Sequence, residues 1–122
     1  MKYLILMQVD PDVLAGLSEA QMSAIGDGHE KFMAAITETG EFLSTNALGD
    51  ASQSSVVRSR GGVPEVVDGP FAESKEFMGG YYLVDVESKE RAIELAKQIP
   101  DASIDGLALE IRPVMFSAGV DM

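Results

Sequence analysis

The run Lys2-Tyr3-Leu4-Ile5-Leu6-Met7-Gln8-Val9 constrains this chain more than any other stretch. As a strand it places Tyr3, Ile5, Met7 and Val9 on one face and Leu4 and Leu6 on the other. Both faces are apolar, so both need cover in a folded protein. Asp10-Pro11-Asp12 ends the run, because proline cannot donate to a sheet ladder. The run is too short for a signal-peptide core or a membrane span, and an acid follows it closely.

Ser18-Glu19-Ala20-Gln21 reads as a capping box that starts a helix. Met22, Ile25, His29, Phe32, Met33 and Ile36 then recur at helical spacing as one stripe. Gly26 and Gly28 each cost such a helix about 1 kcal/mol relative to alanine. They signal a kink, a break into two helices, or a close backbone approach. Gly40 stops the helix.

Glu41 to Leu48 reads as a second strand. Ser54 to Arg60 and Val63 to Asp68 are two β-rich runs joined by Gly61-Gly62, a hairpin signal. The Asp68-Gly69-Pro70-Phe71 segment follows, and Glu73, Lys75 and Glu76 read as a solvated loop or helical turn. A strand from Gly80 to Val86 comes next. Ser88 caps a second helix, with Glu90 in its first turn and Ala92, Ile93, Ala96 and Ile99 as its apolar stripe. Pro100 is expected to end it. The last strand, Leu107 to Met115, has Leu107, Leu109 and Ile111 on one face and Ala108, Glu110 and Arg112 on the other.

With 122 residues and no repeat or linker, the expectation is one domain spanning residues 1–122. Setting the hairpin aside, the order is β-α-β-β-α-β. That is the split, ferredoxin-like α+β pattern, an antiparallel sheet with both helices on one face. The other face is then bare, yet the first strand is apolar on both sides, and Tyr81, Leu83, Tyr82 and Val84 repeat that property. A second copy packing its own sheet there is the simplest cover, so a homodimer is expected.

Nine Lys and Arg stand against 20 Asp and Glu, a net charge of -11. That field repels phosphate backbones and argues against nucleic-acid partners. The chain has no cysteine, which excludes disulfides and thiolate zinc and fits a cytoplasmic setting.

The segment VVDGPFAESKEFMGGYYLVDV, followed by SKERAIELAKQIP and GLALEIRPVM, closely resembles the DGPF family of YCII-related proteins. The resemblance runs from Met1 to about Met115. It implies a dimeric α+β barrel of two ferredoxin-like subunits and an activity that is poorly defined. It also implies bacterial proteins often encoded near sigma factors of the extracytoplasmic-function type. It further implies a histidine on the first helix paired with an aspartate just before a proline near the end of the second. His29 occupies the matching position. Ile99, however, precedes Pro100, so the pair as usually drawn is absent.

His29 is the only histidine. An unperturbed imidazole, with a pKa near about 6.5, suits proton transfer at neutral pH. Its place on the apolar stripe suits either a ligand cleft beneath the helix or a core histidine satisfied by a backbone carbonyl. Asp68 is the candidate orienting acid if its loop folds back toward the helix; otherwise it serves the turn, where Gly69 gives freedom and Pro70 fixes φ. Phe71 packs in the core or rims a pocket. Arg112 is a candidate ligand contact, or an ion-pair partner of Glu110.

Asp10, Asp12 and Asp27 form no recognisable metal spacing, and one histidine leaves a transition-metal site short of nitrogen ligands. No phosphate loop, dinucleotide fingerprint or nucleophile elbow occurs, so no metal and no cofactor are expected. The reading that follows is a protein binding a small organic molecule in a cleft between helix and sheet. The alternatives are a small general acid–base enzyme, lyase- or isomerase-like, using His29 with Asp68, and a non-catalytic regulatory module linked to a sigma-factor pathway.

Overall fold

The computed structural model describes residues 1–71 and 77–119, so Glu73, Lys75 and Glu76 lie outside the described residues. Six strands and three helices follow in order: β1 (Lys2–Val9), α1 (Pro11–Ala15), α2 (Glu19–Glu38), β2 (Phe42–Ala47), β3 (Ser55–Arg60), β4 (Val63–Asp68), β5 (Phe77–Asp85), α3 (Lys89–Ala96) and β6 (Ala108–Pro113). Strands β2-β5-β1-β6 form one antiparallel sheet, and β3 and β4 form a separate two-stranded ribbon. That strand order is the ferredoxin-like one, with the ribbon inserted between its second and third strands. The chain folds as an α+β protein.

Local chemistry explains most of the elements. The capping box forms at Ser18: its hydroxyl accepts the Gln21 amide at 3.1 Å, and Gln21 accepts the Ser18 amide at 2.8 Å. The helix then runs unbroken through Gly26 and Gly28 to Glu38. Gly61 and Gly62, both at positive φ, close the ribbon, a backbone that other residues adopt only with strain. Asp10 caps the short α1, with Pro11 at its first position, where a missing N–H costs nothing.

Two expectations shift. α3 stops at Ala96, and Pro100 opens a 3₁₀ turn, Pro100–Ser103, instead of ending the helix. Leu95 rather than Ile93 is the buried leucine-type residue on α3.

The core lies between the sheet and the helices α2 and α3. Tyr3, Ile5 and Met7 from β1 and Tyr82 and Val84 from β5 meet Phe32 and Ile36 of α2 and Ala92 and Leu95 of α3. Burying side chains of this size contributes roughly 1.5–3 kcal/mol each. Leu4, Tyr81 and Leu83 point to the opposite sheet face and stay half-buried. The β1 pattern thus divides its apolar residues between the core and that second face.

Candidate functional site

The stripe on α2 turns His29 toward the sheet, one turn from Ile25 and from Phe32 and Met33. Tyr82 stands opposite Ile5 on β1, and the sheet alternation sends its ring to the helix side. The ring is 2 % exposed. It packs edge-on against Phe32 with centroids 5.0 Å apart and lies nearly parallel to the His29 ring at 5.8 Å. Its hydroxyl comes to 2.6 Å from His29 Nδ1.

The other imidazole nitrogen meets an acid. Asp101, on the 3₁₀ turn, places Oδ1 3.1 Å from His29 Nε2. Only 5 % of Asp101 is exposed, and it is the single charged residue in the buried set among the described residues. A buried carboxylate without a partner is expensive, so the imidazole satisfies it.

Gly28 makes this approach feasible. A Cβ there would lie 2.5 Å from Pro100 Cγ, so any larger residue would push the turn carrying Asp101 off the helix. The glycine that weakens the helix locally is the close approach between α2 and the turn.

The proton arrangement follows from donor and acceptor counts. An ionised carboxylate only accepts, so Nε2 carries the hydrogen. In the neutral imidazole Nδ1 is then an acceptor, and the Tyr82 hydroxyl donates to it. Burial, with the Asp101 charge adding to it, pushes the Tyr82 phenol up to about 12 and keeps that hydrogen in place.

This chain of three groups borders a cleft of about 320 Å³. Its other walls are largely apolar, with Met7, Val9, Leu14, Ile25, Met33 and Leu107 among them. Small-molecule sites commonly pair such walls with a few convergent polar groups.

Of the residues singled out in the sequence, His29 lies in this cleft. Asp68 does not reach it: it ends β4 opposite Ser55 on the ribbon and is exposed, and the acid bonded to His29 is Asp101. Ribbon pairing with β3 fixes Asp68 in a separate sheet from the strands that flank His29. Phe71 is 77 % exposed and plugs no core; it borders a different concavity with Leu48, Pro70 and Met78. Arg112 is exposed on the outer sheet face, 3.5 Å from Glu110, and is not in the cleft lining.

Tyr82 and Asp101 are the residues that sequence reasoning missed. A signal existed for Asp101. The acid sits immediately after Pro100 rather than before it. Tyr82 had only strand alternation to mark it.

The YCII-related domain matches residues 1–116. An uncharacterized protein of Rhizobium meliloti (strain 1021) is 27% identical over 114 residues, covering 93% of this chain and 92% of that one. Among solved structures, the 5-chloro-2-hydroxyhydroquinone dehydrochlorinase of Burkholderia phenoliruptrix AC1100, in complex with 2,5-dihydroxybenzoquinone, aligns over 96% of each chain at 10% identity and a TM-score of 0.48. With nearly its whole length matched by the family, the chain belongs to the YCII-related domain proteins.

Proposed function

We propose that the protein binds a small organic molecule in the cleft between α2 and the sheet. The observation that carries this is the Asp101–His29–Tyr82 chain, buried at both ends, bordering an apolar cavity. Such a chain is costly to bury where apolar packing would be the simpler filling, and it offers hydrogen bonding at one point of an otherwise apolar wall. A methyl-labelled methionine spectrum tests it against a fragment library. Binders are expected to move the Met7 and Met33 signals and leave Met115 unmoved; a library with no such binder sinks the reading.

A second reading, a general acid–base enzyme of lyase or isomerase type, is favoured by the acid on Nε2. An orienting carboxylate fixes the imidazole tautomer and stabilises its charged form. In this reading Asp101 takes the role that the sequence suggested for Asp68.

The subunit is also proposed to pair with a second copy through the outer sheet face. Leu4, Tyr81 and Leu83 are half-buried on the central strands, on the sheet face turned away from the core that α2 and α3 cover. Two such sheets face to face would complete an α+β barrel. Light scattering at micromolar concentration is expected to return twice the 13.0 kDa chain mass; a stable monomer rejects the pairing.

A further inference from the structure

Both nitrogens of His29 are already bonded within the protein, Nδ1 to Tyr82 at 2.6 Å and Nε2 to Asp101 at 3.1 Å. An imidazole has no third nitrogen with which to meet a ligand. The Tyr82 oxygen, in contrast, gives its hydrogen to Nδ1 and keeps lone pairs, and Tyr82 is part of the cleft wall. We propose that Tyr82, not His29, is the group that exchanges a proton with the ligand, and that the ligand is an uncharged molecule with a weakly acidic hydroxyl, a phenol or an enol. This rests on the reading of the cleft as a binding site.

The step balances without a co-reactant. The ligand hydroxyl passes its proton to the Tyr82 oxygen as the phenol hydrogen moves to Nδ1. The ligand becomes an anion, Tyr82 remains a phenol, and His29 becomes an imidazolium held between Tyr82 and the Asp101 carboxylate. His29 stores the proton, and Asp101 is a positioning residue that stabilises the stored charge.

The lining decides the ligand's charge. Among the described residues it contains no Lys or Arg, while the buried Asp101 carboxylate stands at its polar end. A ligand arriving as an anion would meet like charge with no counter-ion among the described lining residues, at a cost that the apolar walls cannot screen. An uncharged acid avoids that cost, because its charge appears only as the imidazolium forms beside it.

The probe is 4-nitrophenol, whose absorption reports its ionisation, titrated with the protein below the probe's own solution pKa. Bound probe is expected to show the phenolate band, and Tyr82→Phe to remove it. Tyr82→Phe keeps the ring on Phe32; circular dichroism checks its fold. In the unaltered protein, 4-nitrophenol is expected to bind about tenfold tighter than 4-nitroanisole, which has no acidic hydrogen. 4-Nitrobenzoate, an anion of similar shape, is expected not to compete. Equal binding of the anisole, competition by the benzoate, or a band that survives Tyr82→Phe overturns the assignment to Tyr82 and leaves the cleft a binding site. If neither probe binds up to its solubility, the inference falls. If the fragment library also leaves Met7 and Met33 unmoved, the cleft reading falls with it.

Discussion

The β3–β4 ribbon and the His29 cleft carry the two most distinctive features of this chain in opposite ways. The ribbon leads into the Asp-Gly-Pro-Phe motif and leaves Val57 and Val66 68 % and 71 % exposed, facing each other across the two strands. The cleft brings together a buried carboxylate, a half-buried imidazole and a buried phenol at the edge of the core, drawn from three separate elements. A ribbon of two strands gains little from burial. A motif easily read along the chain therefore marks local chain geometry, and the polar chemistry lies where distant residues meet.

The largest difference is expected in stability. Tyr82→Ala removes a ring packed on Phe32 and His29 and is expected to cost about 3–5 kcal/mol in urea unfolding, against about 0.5 kcal/mol or less for Val66→Ala. Equal losses would erase the distinction between the two regions.

Next come the two glycines of α2. Gly28→Ala collides with Pro100 and is expected to destabilise by about 1–3 kcal/mol despite alanine's better helix propensity. Gly26 has open space where its Cβ would be, so Gly26→Ala is expected to stabilise by about 0.5–1 kcal/mol in thermal melts. Two alanines of the same sign would show that the approach of α2 to the Pro100 turn is loose.

Asp101→Asn and Asp68→Asn separate the two candidate acids. The first is expected to cost about 1–2 kcal/mol and to move both side-chain ¹⁵N signals of His29. The second is expected to stay within about 0.5 kcal/mol and leave those signals in place. A response of His29 to Asp68 would restore the ribbon to the site.

The smallest effect concerns ion pairs. Arg91 donates to Glu41 twice, at 2.9 and 2.8 Å, and these bonds hold the Glu41 carboxyl below its usual range against the opposing pull of burial. A depressed carboxyl contributes stability above its unfolded pKa of about 4.3, lost as pH falls through the lower folded value. Glu41→Gln is thus expected to cost about 1 kcal/mol at pH 7, a difference that shrinks as acid titrates the native pair. Glu65, paired with Arg58 at 3.2 Å on the ribbon, is expected to show no measurable loss as Gln.

Much of the fold was legible because its causes are local. Alternation in Lys2–Val9, the capping box at Ser18, the Ser88 cap and the glycines of the hairpin each act within a few residues, and each forms as read. The order of those elements sufficed for a ferredoxin-like sheet, since short connections and one apolar helix stripe leave few other layers.

The site was legible only at His29. Its partners lie 53 and 72 residues away in the chain, and no periodicity links them. Strand alternation placed Tyr82 on one of two faces, but only the pairing of β5 with β1 under α2 set its hydroxyl on Nδ1. Asp101 depended on Pro100 starting a turn and on Gly28 letting that turn close on the helix. Sequence alone determined the elements and the one imidazole, because hydrogen bonding and apolar periodicity are short-range. Tertiary structure chose the acid, because a buried charge is stable only where packing delivers its partner.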